Sequence, residues 1–168
     1  RVFRAIAHHL AQCGIVVLRS DGRGVGKSGG KPWPGYTNED LASDLRSALQ
    51  HLRQQAFIDS NCIGIVGHSE GGTVASIVTA NSPKIAFLVL LGSPGLPGGE
   101  ILSAQISHVA PTLGVKKSVA DKYGQLIAQV GKTLRLSSDD EAVSRQLEQS
   151  FDTFNASITA NDKESLRR

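Results

Sequence analysis

Residues 62–72, with the sequence CIGIVGHSEGG, decide the fold of this chain. The apolar run Cys62-Ile63-Gly64-Ile65-Val66 is short and partly β-branched, which predicts a buried strand. Gly67-His68-Ser69-Glu70-Gly71 then turns the chain sharply into a segment of small and apolar residues, which predicts a helix. A serine with glycines two positions away on each side, between a strand and a helix, is typical of a nucleophile elbow.

The turn suits Ser69 to nucleophilic attack. A serine nucleophile must project above the edge of a sheet, so its backbone passes through a strained turn, and glycines remove side chains that would collide there. The following helix directs its N-terminus at the site, where a backbone N–H can hold the negative oxygen of a tetrahedral intermediate. We predict these site residues: Ser69 as the nucleophile, Glu70 as the backbone N–H donor of an oxyanion hole, and Gly67, His68, Gly71 and Gly72 as the rest of the elbow.

Helices and strands alternate on both sides of this stretch. Apolar residues at helical spacing in residues 2–10 precede a β-branched run, residues 15–18, which predicts a buried strand. Thr37 predicts the N-cap of an amphipathic helix that reaches about residue 56. Downstream, residues 85–91 predict a further strand. This order is typical of a parallel sheet covered on both faces, so the predicted fold class is α/β.

The pattern changes past residue 99, where two helical stripes follow and no strand is predicted. One stripe contains Tyr123 and Leu134, and the other contains Val143 and Ile158. We therefore predict two regions. Residues 1–99 form the central part of the α/β core, and residues 100–168 form a helical cap or insertion.

The composition argues against several classes of protein. Apolar residues make up 40% and charged residues 20% of the 168 residues, which is ordinary for a folded globular domain. The longest apolar run, residues 85–91, is far too short for a transmembrane helix, so we expect no membrane span. The formal net charge is +3, but the basic residues are scattered among acidic ones, so we expect no nucleic-acid partner.

The two cysteines exclude a disulfide scaffold and a zinc site built from thiolates alone. Cys13 closes a predicted helix and Cys62 opens a predicted strand. Free thiols are common inside proteins at such places, so we expect both side chains to be buried for packing.

The ends of the sequence suggest a piece of a longer protein. It begins at Arg1 inside a helical pattern, contains no methionine, and ends on a charged stretch without a closing strand. Alone, these residues would leave apolar sheet surface uncovered, which predicts self-association. The residues do not decide the compartment, although a cytoplasmic location is favoured.

A second glycine-rich stretch, DGRGVGKS at residues 21–28, partly matches two nucleotide-binding motifs. A P-loop needs a glycine where Asp21 stands, and both motifs must open directly into a helix. Pro32 and Pro34 prevent a helix there, so we do not interpret this stretch as a phosphate site. We expect Asp21 to bond loop amides and Arg23 to tether the loop.

Three segments carry a resemblance to a known family: residues 16–28, 67–72 and 87–95. They resemble the corresponding strands, loop and elbow of bacterial serine esterases in the α/β-hydrolase superfamily, of the serine-aminopeptidase-like and dienelactone-hydrolase-like groups. The resemblance implies a partial α/β-hydrolase fold and hydrolysis of a small-molecule ester through an acyl-enzyme on Ser69. It also implies that no metal or organic cofactor is needed.

The sequence departs from this family in one respect. The family's catalytic order is serine, acid, histidine, and the only histidine after Ser69 is His108, within the presumed cap. We therefore assign neither the acid nor the histidine, and the second oxyanion donor is not assigned either. The alternative is a non-catalytic α/β-hydrolase-like protein that serves for binding or as a scaffold. The complete set of elbow glycines favours the enzyme.

Overall fold

The computed structural model describes residues 2–82 and 84–166 and shows an α/β chain rich in helices. The elements in chain order are helix α1 (Val2–Gln12), helix α2 (Asn38–Arg53), strand β1 (Gly64–His68), helix α3 (Glu70–Ala80), strand β2 (Phe87–Leu91), helix α4 (Gly98–Val109), a 3-10 turn (Ala110–Leu113), helix α5 (Lys117–Leu136), helix α6 (Asp140–Ser157) and helix α7 (Ala160–Ser165). The chain divides into two compact units, residues 1–93 and 94–168. The division at residue 99 and the role of the second region as a cap stay predictions.

The first unit contains a parallel pair of strands. β1 pairs with β2 in a register that runs from Gly64 opposite Phe87 to His68 opposite Leu91. Neighbouring parallel strands need a crossover connection, and helix α3 provides it between β1 and β2. The carboxyl ends of both strands therefore lie at the same edge of the sheet, which is where the elbow begins.

One face of this sheet carries the core of the first unit. Side chains of the β1 segment pack there against apolar residues of α2 and α3. The buried members of this core are Ala42, Leu49, Ile63, Ile65, Val74, Ala75 and Val78. On the opposite face Val66, Phe87 and Val89 are 48%, 51% and 40% exposed. In β1 this alternation follows from the period of two along a strand. β2 alternates less regularly, since Leu90 on the core face is 48% exposed.

Helix α2 confirms the predicted cap. The Thr37 side chain accepts a hydrogen bond from the Asp40 N–H, and the Asp40 side chain accepts one from the Thr37 N–H. This reciprocal pair is a capping box, which satisfies amides at the helix start. The N–H of Thr37, together with its hydroxyl, holds the pKa of Asp40 below its ordinary value.

The predicted strand at residues 15–18 is wrong. These residues form no strand, and Ile15, Val16 and Leu18 are 49%, 54% and 43% exposed. A β-branched run becomes a strand only when a neighbour accepts and donates its backbone hydrogen bonds. Among the described residues the only strand pair is β1 with β2. The run therefore stays unpaired among the described residues.

The prediction of two buried cysteines is also wrong, because Cys13 and Cys62 are both exposed. Cys13 lies in the turn that ends α1. Cys62 lies in a turn before β1, which begins two residues later than predicted, at Gly64. Its thiol donates to Asp59 Oδ2 at 3.3 Å, and this interaction raises the pKa of Cys62.

In its described residues, 94–166, the second unit contains helices and a 3-10 turn joined by short loops and no strand, as the apolar stripes predict. Glycines allow α4 and α5 to approach closely: a Cβ built on Gly99 would lie 3.0 Å from the Cα of Gly131. Asp162 fixes the start of α7 through a capping box with Thr159. Its carboxylate also accepts from Lys116 Nζ at 2.9 Å. The Lys116 bond and then the Thr159 bonds lower the pKa of Asp162 to about 2.

Candidate active site

Ser69 has a strained backbone. Its φ is 52° and its ψ is −125°, and it is the only non-glycine residue with a positive φ among the described residues. L-residues rarely adopt this conformation, which costs of the order of 1–3 kcal/mol. Such strain persists only where the surroundings hold it, and it is concentrated at functional sites.

Two backbone hydrogen bonds hold this conformation. The N–H of Ser69 donates to the carbonyl oxygen of Leu91 at 3.0 Å, which extends the ladder between β1 and β2 by one bond. The N–H of Gly72 donates to the carbonyl oxygen of Ser69 at 2.9 Å and closes the first turn of α3. Ser69 is therefore fixed on one side by the sheet and on the other by the helix.

The elbow, residues 67–72, needs two of its three glycines for steric reasons. A Cβ on Gly67 would lie 2.5 Å from the carbonyl oxygen of Gly71. A Cβ on Gly72 would lie 1.7 Å from Ser93 Oγ. A Cβ on Gly71 would meet no atom within 4 Å. The expectation that Gly71 avoids a collision is therefore wrong for the described residues, because its missing side chain would face open space in the first turn of α3.

The start of α3 is open to solvent. Ser69 and Glu70 are both exposed, and the Ser69 side chain makes no capping hydrogen bond to the helix. The first amides of a helix have no intrahelical acceptor, and they carry the positive end of the helix dipole. The N–H of Glu70 is one of these amides, so it is a suitable donor to a negatively charged oxygen near Ser69 Oγ.

His68, next to the nucleophile in the chain, contacts helix α1. Its ring packs against the ring of Phe3, with a centroid separation of 5.3 Å. In the described part of residues 1–93, no hydrogen bond joins a histidine to Ser69. His8, His9 and His51 are exposed helical residues. Within the described part of residues 1–93, the structure therefore adds no histidine to the predicted site.

Sequence reasoning missed Ser93, which lies two residues after the end of β2. Its hydroxyl oxygen is buried and has no hydrogen-bond partner within the described residues. The sequence carried a weak signal for Ser93, which follows the predicted strand at residues 85–91. The carboxyl ends of parallel strands meet at one edge of the sheet, and the elbow begins at that edge.

The glycine-rich loop, residues 21–35, is tethered to the first two turns of helix α2 through Arg23. Arg23 donates to both carboxylate oxygens of Asp44, at 2.6 and 2.8 Å, and to the carbonyl oxygen of Asp40 at 3.2 Å. The hydrogen bond from Arg23 lowers the pKa of Asp44. Helix α2 begins only at Asn38. The tethering role of Arg23 is confirmed, and the loop lacks the adjoining helix that a phosphate site requires.

No three His, Cys, Asp or Glu side chains in residues 2–82 and 84–166 come together as a possible metal site. None of the helices there combines the length and the apolar character that crossing a membrane demands.

Comparison with known proteins identifies the family. Residues 1–161 match the family described as "Serine aminopeptidase, S33". A stretch of 80 residues is 34% identical to the alpha/beta hydrolase domain-containing protein WAV2 of Arabidopsis thaliana, covering 47% of this chain and 24% of that protein. No solved structure matches the chain significantly. The resemblance drawn from the sequence is confirmed at this level: the chain belongs to the serine aminopeptidase S33 family of the α/β-hydrolase superfamily.

Proposed function

We propose that this protein is a serine hydrolase that cleaves carboxylic esters of small molecules through an acyl-enzyme on Ser69. The observation that carries the proposal is the backbone of Ser69, with its φ of 52° between β1 and α3. A protein that had lost this chemistry would gain stability by relaxing the turn. The exposed hydroxyl at the end of a strand pair also stands where a substrate can reach it.

The proposed reaction has two steps. Ser69 Oγ attacks the carbonyl carbon of the ester, and a C–O bond forms as the hydroxyl proton passes to a base. The C–O bond to the alcohol then breaks, and the leaving alkoxide takes a proton. Water attacks the acyl-enzyme in the same way and releases the carboxylic acid and free Ser69. The family resemblance implies that the base is a histidine oriented by a carboxylate.

The N–H of Glu70 is the proposed donor to the oxyanion that forms in each step. This amide is the first of α3, so both its free hydrogen and the helix dipole favour a negative oxygen beside Ser69. Removing one such donor in other serine hydrolases costs about 10²–10³ in rate. A backbone donor cannot be removed by a side-chain substitution, so its position is tested through the glycines that place it.

Amide bonds are the second candidate substrate. The matching family is described as a serine aminopeptidase, which names peptide amide chemistry for that family. The same nucleophile and oxyanion donor would act on an amide, but the leaving amine must be protonated before it departs. A comparison of p-nitrophenyl esters with aminoacyl p-nitroanilides distinguishes the two classes.

The test is labelling of the natural protein with a fluorophosphonate probe, followed by peptide mapping. We expect the label on Ser69 and none in Ser69→Ala. The matched control is Ser47→Ala, which removes an exposed hydroxyl on α2 that bonds only within its own helix. If the wild type takes no label, or takes it on another serine, the proposal fails and the binding or scaffold alternative replaces it.

A further inference from the structure

We propose that Ser93 is a positioning residue whose side chain, pressed against Gly72, sets the backbone of Ser69. This inference rests on the proposed function, because it gives Ser93 a part in placing the nucleophile. The inference about Ser93 differs from the proposed function in one way: the effect of Ser93 on the Ser69 backbone can be tested without any measurement of activity.

The contact between Ser93 and Gly72 leaves no space for another atom. A Cβ on Gly72 would lie 1.7 Å from Ser93 Oγ, 2.4 Å from Ser93 Cβ and 3.2 Å from Leu90 Cδ2. Distances below about 3 Å do not occur between such atoms, so the Ser93 side chain fills the space that a larger residue at position 72 would need. The first turn of α3 thus rests directly on the end of β2.

This contact closes a ring of interactions around Ser69. Leu91 accepts the Ser69 N–H, Ser69 accepts the Gly72 N–H, and Gly72 packs against Ser93. Leu91 and Ser93 are two residues apart in the segment that leaves β2. A shift of Gly72 away from Ser93 would therefore lengthen both the Ser69–Leu91 and the Gly72–Ser69 hydrogen bonds, which hold the strained turn.

The hydroxyl of Ser93 has no hydrogen-bond role that explains its place. Its oxygen is buried, and among the described residues no group donates to it or accepts from it. Buried polar atoms are normally hydrogen-bonded, so a serine here is not explained by polar pairing. The size of the Ser93 side chain explains its place instead, because it fills the space next to Gly72, which has no side chain.

A double-mutant cycle tests the contact. Gly72→Ala adds a methyl group where Ser93 stands, and Ser93→Gly leaves a gap in the same place. Each single change should expose the Ser69 N–H, and Gly72→Ala/Ser93→Gly should restore it, because the new methyl group fills the gap. Gly72→Ala/Ser93→Ala should stay impaired, since Ser93 Cβ alone would lie 2.4 Å from the added carbon.

The first readout is hydrogen exchange of the Ser69 amide, compared with the Leu49 amide in the core of α2. We expect faster exchange at Ser69 in both single variants, with Leu49 unchanged, and slow exchange again in Gly72→Ala/Ser93→Gly. If Gly72→Ala does not fold, Ser93→Gly alone still decides the matter, because it introduces no new atom. Unchanged Ser69 exchange in Ser93→Gly, or equal recovery in both double variants, overturns the inference.

The second readout is the rate of fluorophosphonate labelling at Ser69. A displacement of the nucleophile by about 1 Å can cost about 10²-fold in rate, so we expect a loss approaching this in Gly72→Ala. The Leu90 contact at 3.2 Å remains in Gly72→Ala/Ser93→Gly, so recovery should be large but incomplete. Gly29→Ala, a glycine with open space around it in the glycine-rich loop, serves as the control. A wild type that takes no label contradicts the proposed function, and hydrogen exchange then still decides the role of Ser93.

Discussion

The elbow and the glycine-rich loop are both glycine-rich turns that follow apolar runs in the first unit, yet they are held by different forces. The elbow lies between a paired strand and a helix. The atoms closest to Gly67 are backbone atoms, and Gly72 faces Ser93 Cβ, which no side-chain rotation can move away. The glycine-rich loop has neither a strand before it nor a helix directly after it, and the exposed ion pair of Arg23 with Asp44 tethers it. The flanking elements, rather than the number of glycines, decide what such a motif can do.

The largest expected difference is in the free energy of unfolding, between alanine substitutions at two glycines of the elbow. Gly67→Ala would place a carbon 2.5 Å from the Gly71 carbonyl oxygen and 2.7 Å from the Gly72 Cα. Overpacking against backbone typically costs about 1–3 kcal/mol of unfolding free energy, so Gly67→Ala should be strongly destabilising. Chemical denaturation measures the change.

Gly71→Ala is the matched control for that substitution, because the same methyl group enters open space. Alanine is also about 1 kcal/mol more favourable than glycine inside a helix, so this variant should be no less stable than the wild type. Equal losses of stability in the two variants would show that the elbow is not held by close packing.

The next effect in size concerns the strain at Ser69. Ser69→Gly should raise the free energy of unfolding by about 1 kcal/mol, because glycine adopts a φ of 52° without steric cost. The same variant should lose fluorophosphonate labelling completely. A gain of stability together with a loss of labelling indicates a strained nucleophile. A loss of both stability and labelling would show that the Ser69 backbone is not strained.

A smaller effect is expected at the tether of the glycine-rich loop. Arg23→Ala should speed cleavage within residues 21–35 by a protease of broad specificity, with little change in the melting temperature. An exposed ion pair contributes little to global stability, although it holds the loop in place. Arg23→Lys should not restore protection, because an ammonium cannot form the two parallel bonds to Asp44.

Lys27→Ala is the control for this experiment, since Lys27 lies on the same loop and makes no ion pair within the described residues. Cleavage that is equally fast in Arg23→Ala and Lys27→Ala would mean that the tether does not order the loop.

The smallest effect is the pH dependence of the same tether. Arg23 lowers the pKa of Asp44 from its ordinary value of 3.8, so the pair stabilises the folded loop at pH values above 3.8. That contribution is lost as the pH falls below 3.8 and through the lowered pKa of Asp44. Protease sensitivity of the loop should therefore rise below pH 4 in the wild type and rise less in Asp44→Asn, in which Arg23 still faces the Asp40 carboxylate at 3.6 Å. The elbow, which is held by backbone bonds and packing, should show no such dependence.

The sequence predicted the parts of the fold that local chemistry decides. The Thr37 cap, the elbow between a strand and a helix, and the helical second unit all follow from short-range patterns. The strand expected at residues 15–18 did not form, because strand formation depends on a neighbour that no local pattern reveals. Burial of Cys62 was wrongly predicted because β1 begins two residues later than the apolar run suggests.

The geometry of the candidate site was predictable to a similar extent, and the roles of its residues stay predictions. Ser69, Glu70 and the elbow glycines follow from one motif in its context. Ser93 could not be assigned from the sequence, because its contact with Gly72 joins residues that are 21 positions apart and depends on the pairing of β1 with β2. The open space at Gly71 likewise depends on packing, which a motif does not describe.

Trapping of the acyl-enzyme tests directly whether Ser69 is the nucleophile. The natural protein is mixed with p-nitrophenyl butyrate, quenched with acid within the first turnover, and digested for mass spectrometry. We expect a butyryl group on the peptide that contains Ser69, together with a burst of p-nitrophenol, and neither signal in Ser69→Ala. Turnover of the ester without an adduct on Ser69, or an adduct that persists in Ser69→Ala, would contradict this role of Ser69.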